Sequence, residues 1–543
     1  MANDELREQP QDQLQPEAVE TAQADTPVKK KKFKPTKRFI IGTAVLTVLV
    51  VGIVIAAFLL ANVDRRPNYG LYVKNGALYY TNFRGSSFRV TSNLTPTDGS
   101  LPAVEYDLRN CAILSDNGSY LFFPENMTIS GDDVQTFDLC YQNISKKERT
   151  TVLVAKNVSS YFISNDAMTV TYLADGNLYQ YELKPAESNL MCKNVYQYYV
   201  SDTSNRLVYI TGNNELYAHT AGNTKAKIDN MVDEVVYISA DYKTVIYRQE
   251  NSLHKWINGK GESEICADVI NWTFYTAGDG YLLSTQEGYS QLFYYDGQGT
   301  ELIAEHIHTL IATAPDAAVA VFSAPDNEAE IPEDEAELSD YEIPEALYIA
   351  AKTTVHRVDR EQLSYVGITG SGKQIYFTQQ DAQVSTLYEL NPGAFGLDEK
   401  IYDTDVYTQY ITVTDDGRVV YFKNADQEQQ TGTLYLNTAE LNSGVPLQTA
   451  HYQSFGDLPD SKQIYYFTGY NADAHYGTLY VADINGGNRQ ISGKAYLPFM
   501  LHNGQILFLE NYNAATGTCD LYVYSGGSTI LIDTGVTFYI PVL

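Results

Sequence analysis

The chain has 543 residues, 44% of them apolar, and a formal net charge of −30. It can therefore bury a large core, while its acidity disfavours nucleic acid and repels anionic lipid headgroups and anionic wall polymers. Cys111, Cys140, Cys192, Cys266 and Cys519 are odd in number and lack CxxC spacing, so inert buried thiols are expected rather than a disulfide framework or a zinc knuckle.

Residues 1–28 are rich in Gln, Glu, Asp, Ala and Pro without apolar periodicity, a composition that predicts disorder. Lys29, Lys30, Lys31, Lys32, Lys34, Lys37 and Arg38 follow. Such a polybasic run holds anionic lipid at about 1 kcal/mol per basic residue. Residues 39–61 read FIIGTAVLTVLVVGIVIAAFLLA, and no charge occurs between Arg38 and Asp64. As a helix this stretch spans about 34 Å, enough to cross a bilayer. Seven basic residues precede it and only Arg65 and Arg66 follow, which places the N-terminus in the cytoplasm. A cleaved signal peptide would carry a shorter apolar stretch and rarely so long a polar leader. Gly42 and Gly52 are too far apart for a GxxxG dimer face. The expectation is a single-pass signal-anchor in the cell membrane, contacting the lipid bilayer through 39–61. The cytoplasmic tail, residues 1–38, is too short for a kinase or cyclase domain, and the C-terminal body is extracellular.

The body is repetitive. YFISNDAMTVTYL from Tyr161, YYVSDTSNRLVYI from Tyr198 and VYISADYKTVIYR from Val236 each hold two alternating runs around a polar turn, a β-hairpin signature. The abundance of Tyr, 45 against 2 Trp, suits such pleated surfaces with one dry and one wet end. A small hydroxyl residue at the end of the first run recurs at Ser164, Ser201, Ser239, Thr276 and Thr313, with spacings of 37 or 38. Looser copies fall at Ser115, Thr369 and Thr414, and the hydroxyl is lost near Leu458 and Met500. A Leu-Tyr run follows each hairpin: NLYQYEL from Asn177, ELYAHT from Glu215, TLYLNT from Thr433, TLYVAD from Thr478. A fourth run closes in Val or a similar residue, as in AKIDNMV from Ala226 and SEICADV from Ser263.

Four short strands in about 40 residues is the period of a propeller blade. The first unit, from Leu71, has the second, third and fourth runs and lacks the first, whereas the chain ends on a lone first run, TFYIPVL from Thr537. The C-terminal strand is therefore expected to close the first blade. The expected fold is all-β: a β-propeller of about eleven four-stranded blade-like units after an N-terminal transmembrane helix. Two packed rings are favoured over one large ring, because propellers usually hold four to eight blades. The division falls between repeats 69–306 and 307–543, where the spacing loosens.

The copy GTLYVADINGGNRQIS, Gly477 to Ser492, resembles the repeat of TolB-type propellers and of related Firmicute surface domains of unknown function. In that repeat a Leu-Tyr strand, an Asp-Asn-Gly-type turn and a closing Leu-Thr or Ile-Ser recur. The resemblance covers roughly residues 69–543 as a degenerate repeat, and it implies a propeller with a binding or scaffolding role. TolB-type proteins also carry a small α/β domain, of which this chain has no segment. No functional residue carries over.

Candidate chemistry is sparse. GITGSGKQ, Gly367 to Gln374, fits GxxxxGK, but Gln replaces the Ser or Thr and a strand follows instead of a helix, so a hairpin turn is expected. His306 and His308 would share one face of a strand and could offer two zinc ligands, without a third from sequence. Asp326, Glu328, Glu330, Glu333, Asp334, Glu335, Glu337, Asp340, Glu342 and Glu345 fill an acidic loop, 326–345, between the second and third runs of a unit. It does not match an EF-hand and reads as a solvated loop. Asp415, Asp416, Gly417, Asn485 and Gly486 read as turn residues. Neither GxSxG nor HExxH occurs. No catalytic, cofactor-binding or metal residue is assigned. The leading expectation is a non-enzymatic binding or scaffolding module for an envelope protein, peptide or glycan. The alternatives are an extracellular hydrolase or lyase at the channel mouth, or a sensor coupled to a cytoplasmic partner.

Overall fold

The computed structural model describes residues 69–540 except 85, 95–110, 131–132, 221–223, 287–288, 327–344, 361, 382–383, 438–443, 453–454, 458–462, 472, 484–486 and 502–503. The tail 1–38, the span 39–61 and most of the acidic loop lie outside the described residues. So do Leu458, Asn485 and Gly486. Among the described residues no helix is long and apolar enough to cross a membrane. The chain divides into two compact units, Met1–Arg65 and Arg66–Leu543. The second is the all-β body.

The alternating runs form strands as the hairpin signature predicts. The described residues make nine antiparallel sheets, seven of four strands and two of seven. In eight of them the strands lie side by side in chain order. The exception is the first sheet, where the last strand of the chain, Phe538–Ile540, pairs with Gly70–Lys74 through Leu71↔Ile540, Tyr72↔Tyr539 and Val73↔Phe538. In each seven-stranded sheet one long strand serves two units. Thr151–Ile163 pairs by its first half with Asp133–Asn143 and by its second half with Thr169–Ala174. Asn488–Met500 likewise bridges Tyr476–Asp483 and Ile506–Asn513. Repeated four-stranded meanders, with the chain's last strand entering the first sheet, make this a β-propeller body.

Burial grades across each unit. The unit of Val195–Val200, Leu207–Thr211, Leu216–Thr220 and Thr224–Asp229 is typical: its first strand is half-buried and its second is buried throughout. Fourth strands such as Glu187–Cys192 and Gly261–Cys266 are mostly exposed. The Leu of each Leu-Tyr run, as at Leu178, Leu216, Leu434 and Leu479, is fully buried. The next residue stacks on its cross-strand partner. Tyr72–Tyr79, Tyr209–Tyr217, Tyr421–Tyr435 and Tyr466–Tyr480 lie at 5.2–5.6 Å, their planes within 17°. Such pairs contribute about 1 kcal/mol beyond area burial.

Apolar clusters join each unit to the next. Val208 and Ile210 pack with Val245 and Tyr247, and Val321 and Ile349 with Ile375 and Phe377. Leu509 and Leu521 of the last complete unit pack with Tyr72 and Tyr539 of the first. A recurrent polar tether runs along the same seams. The second-strand Tyr donates to an Asp on the fourth strand of the preceding unit: Tyr247 to Asp229 (2.8 Å), Tyr72 to Asp533 (2.9 Å), Tyr421 to Asp403. Lys74 and Lys423 add ion pairs of 2.6 Å to Asp533 and Asp403.

The repeated hydroxyl has a local task. Ser164 Oγ accepts from the Thr169 N–H (3.0 Å) and the Ser164 N–H bonds the Thr169 carbonyl (2.9 Å), locking the first-to-second turn. Ser115, Ser201, Ser239, Thr369 and Thr414 do the same. Three expected positions are one residue off: Tyr275, Ala314 and Leu501, rather than Thr276, Thr313 and Met500, donate the closing backbone bond. The backbone pair alone closes those turns, so the hydroxyl is dispensable there.

Candidate ligand-binding edge

Up-and-down order puts all first-to-second turns on one edge of the body and all second-to-third turns, with the fourth-to-first crossovers, on the other. The chain enters at Tyr69 on the first of these edges. The second is built by a geometry that recurs in nearly every unit. At the crossover one residue adopts the left-handed conformation: Asn157, Asn194, Met231, Asp268, His306, Gln362, Asp405, Leu497 and Gly535, with φ between 45° and 67°. Val158, Val195, Val232, Val269, Ile307, Val406 and Val536 follow in the chain and are buried. Their amides clamp the crossover to the turn of the unit before: Val195 N–H to the Gly176 carbonyl (2.8 Å), Val232 to Asn214 (2.9 Å), Val269 to Asn251 (2.7 Å). The closing Val of the fourth run is legible in sequence. The left-handed residue before it is not, because its type changes every time. For a non-glycine residue that conformation costs about 1–2 kcal/mol.

On this uniform backbone the displayed side chains vary. Tyr196, Met231 and Ile270, at three successive crossovers, are 70%, 61% and 57% exposed. Further along, aromatic rings accumulate. Tyr407, Tyr452 and Tyr410 form a three-ring stack, with Tyr452 at 4.9 Å from Tyr407 and 5.3 Å from Tyr410. Phe422 meets Tyr452 edge-on at 5.2 Å. Burial, then the charges of Tyr407 and Asp426, push the Tyr452 phenol up to about 12, so it stays neutral. Tyr476, Tyr496 and Tyr512 form a second series at 5.3 and 6.0 Å, with the Lys494 ammonium 4.4 Å over Tyr476. Tyr410 and Tyr512, the last rings of the two series, are 39% and 53% exposed.

The residues singled out in sequence fall as follows. Gly367–Gln374 spans a hairpin: Ile368 pairs with Ile375, the Thr369 N–H bonds the Gln374 carbonyl at 3.0 Å, and strand Ile375–Asp381 follows. No helix N-terminus is there to meet phosphate. His306 and His308 do not share a strand face. His306 sits in the left-handed crossover, and His308 lies between strands Thr300–Ile307 and Thr309–Thr313 with its imidazole on Glu345. Asp326, at the other end of the acidic loop, pairs with Arg357 at 2.6 Å. Among the described residues no group of three or more His, Cys, Asp or Glu could hold a metal ion. Asp416 pairs with Arg418 at 3.1 Å in the turn closed by Gly417, which has φ 86°. Cys111, Cys140 and Cys519 are buried, and burial with the nearby Glu125 and Asp138 charges pushes the Cys140 thiol up to about 12. Cys192 and Cys266 are only half-buried, at the repeat position that Asp229 fills.

No known protein family and no curated protein matches the chain. Among solved structures, a eukaryotic initiation factor is similar over 70% of this chain and 97% of its own, at 10% identity and TM-score 0.35. The tricorn protease is similar over 88% and 58%, at 12% identity and TM-score 0.28. Dipeptidyl peptidase 4 of Porphyromonas gingivalis is similar over 81% and 62%, at 10% identity and TM-score 0.35. Likeness this distant carries no argument about function, and the propeller assignment rests on the chain's own sheet order.

Proposed function

We propose that this chain is a membrane-anchored, non-enzymatic β-propeller whose crossover edge binds an envelope protein, peptide or glycan outside the cell. The observation that carries the reading is the contrast between one backbone geometry, repeated at crossover after crossover, and the changing side chains mounted on it. A rigid scaffold with variable displayed groups suits recognition. Anchoring rests on the uncharged stretch 39–61 and the seven-to-two basic asymmetry around it. Splitting each seven-stranded sheet at its shared strand gives eleven units among the described residues. The order of the apolar clusters, each unit on the next and the last on the first, favours one large ring over two. The TolB-type resemblance of Gly477–Ser492 agrees with a ring of such units.

The test is affinity capture. The full-length chain in detergent is immobilised and exposed to solubilised envelope, with bound protein and glycan identified by mass spectrometry. The expected result is a reproducible ligand, weakened by Tyr196→Ser, Met231→Ser and Ile270→Ser combined or by Tyr512→Ser. Capture indifferent to both variants would overturn the edge assignment, and cleavage of the captured ligand would overturn the non-enzymatic one.

A further inference from the structure

Phe395 is fully exposed, at 104%, on the tip of a hairpin that stands out from its edge. The second strand of this unit begins at Ile375, opposite Leu390. The third and fourth strands, Val384–Gly393 and Gly396–Tyr407, run on past it to Gly393↔Gly396. In the unit of Thr244–Gln249 the third strand instead stops at Ile257, opposite Thr244. The tip is braced, because the His356 imidazole of the preceding unit donates to the Gly393 carbonyl at 2.8 Å. No charge occurs between Glu389 and Asp398. Other third-to-fourth turns hold polar or glycine residues, as at 258–260, 296–299 and 526–527. A single exposed apolar side chain is ordinary. One lifted clear of its neighbours on a braced, uncharged hairpin is built to enter an apolar phase.

Up-and-down order places the third-to-fourth turns on the edge where the chain enters at Tyr69. Tyr69 itself joins the first two units, its phenol oxygen accepting from the Leu114 N–H at 3.1 Å. Residues 62–68 lie between the apolar stretch and Tyr69 and can span at most about 25 Å. The third-to-fourth turns of these two units carry exposed Arg84, Lys146, Lys147 and Arg149 against one acid, Glu148. Arg149 lies over the Phe88 ring at 3.8 Å, which ties the second turn to the first unit. The aspartates of this edge, Asp166 and Asp241 among them, sit in first-to-second turns and accept from Ser164 and Ser239. The largest acidic block falls in a second-to-third connection, from Asp326 to Glu345, and so on the opposite edge. Six-residue strands such as Thr244–Gln249 set the two edges about 20 Å apart. That exceeds the ~8 Å Debye length of physiological salt. The entry edge therefore presents its own cations to a nearby surface, and not the net charge of the whole chain.

We propose that the entry edge rests on the lipid bilayer, with Phe395 inserted into it and Arg84, Lys146, Lys147 and Arg149 on anionic headgroups. Aromatic rings favour the membrane interface, and basic side chains favour anionic lipid. The crossover edge then faces away from the membrane. The inference rests on the anchoring part of the preceding reading and is independent of its ligand.

The experiment uses the full-length Phe395→Trp chain in phosphatidylcholine vesicles, with and without roughly a third phosphatidylglycerol. The parent, with Trp256 and Trp272, supplies the background. The added fluorescence should be quenched by bromine-labelled lipid and spared by aqueous iodide, and phosphatidylglycerol should deepen the lipid quenching. Arg84→Glu, Lys146→Glu and Lys147→Glu combined should abolish that increment while melting with the parent. Quenching by iodide alone overturns the proposal. So does protection from both quenchers, the result expected under a protein partner or a second copy. A charge-reversed chain that responds to phosphatidylglycerol like the parent overturns it too. A carbonate wash separates the two readings. If the parent stays with the vesicles while the proposal fails, anchoring stands. If the wash strips the parent, anchoring falls and the proposal with it.

Discussion

The units between Val195 and Ile307 and those between Val419 and Val536 share strands, tethers and buried Leu positions, and they differ at one edge. In the earlier group the second-to-third turn is tight, as where Gln249↔Ser252 closes the hairpin at Glu250 and Asn251. In the later group the second strand passes a left-handed bulge at Asn424, Gly469 or Asn511 and runs on to pairs such as Asn471↔Tyr476 and Asn513↔Thr518. A bulge adds one residue and bends the strand without disturbing the pairing inside it. Leu434, Leu479 and Leu521 are as well buried as Leu216 and Leu253. The core is thus indifferent to what the edge carries, and the aromatic series stands where the arms are long.

If core and edge are independent, core truncations should weaken both groups alike. Tyr247→Ala and Tyr421→Ala each remove a fully buried ring and should each cost about 3–5 kcal/mol, read from urea unfolding. A large inequality would break the comparison.

The seams come next. Burial tends to raise the Asp533 carboxyl, but hydrogen bonds from Lys74 and Tyr72 outweigh it and hold it below the usual carboxylate range. A depressed value stabilises the fold fully above about pH 4, and the contribution disappears as pH falls through the folded value. Asp533→Asn should therefore lose about 2 kcal/mol at neutral pH and converge with the parent in acid. Asp229→Asn, which keeps an acceptor for Tyr247 but removes the charge, should lose about 1 kcal/mol. A pH series of melting temperatures checks both.

Edge substitutions should be smaller and of opposite sign. Met231→Gly and Leu497→Gly relieve exposed left-handed residues and should gain about 1 kcal/mol each. Asn424→Gly and Asn511→Gly, at bulges where Asn already tolerates the conformation, should change stability by only a few tenths of a kcal/mol. Parallel thermal melts rank these against the seam variants.

Much of this architecture is readable from residue patterning. Alternation marks the hairpins, Leu-Tyr marks the third strand, and the lone run at Thr537 matches the strand that the first unit lacks. The crossover residues are hidden because Met231, His306 and Leu497 share a backbone angle and no chemistry. The hydroxyl marker slips by one at Tyr275 and Ala314 because the turn is closed by backbone groups, which leave no trace in side-chain type. The Tyr410 stack is equally hidden: Tyr407 and Tyr410 share one crossover, but Tyr452 comes from another chain segment and meets them only once two sheets are packed.

The most direct test of the account is an electron cryomicroscopy view of the full-length chain along the propeller axis. Eleven radial four-stranded units around a single channel are predicted, with the C-terminal strand inside the first. Two smaller rings, or a gap between the sheets of Leu521 and Tyr72, would contradict it.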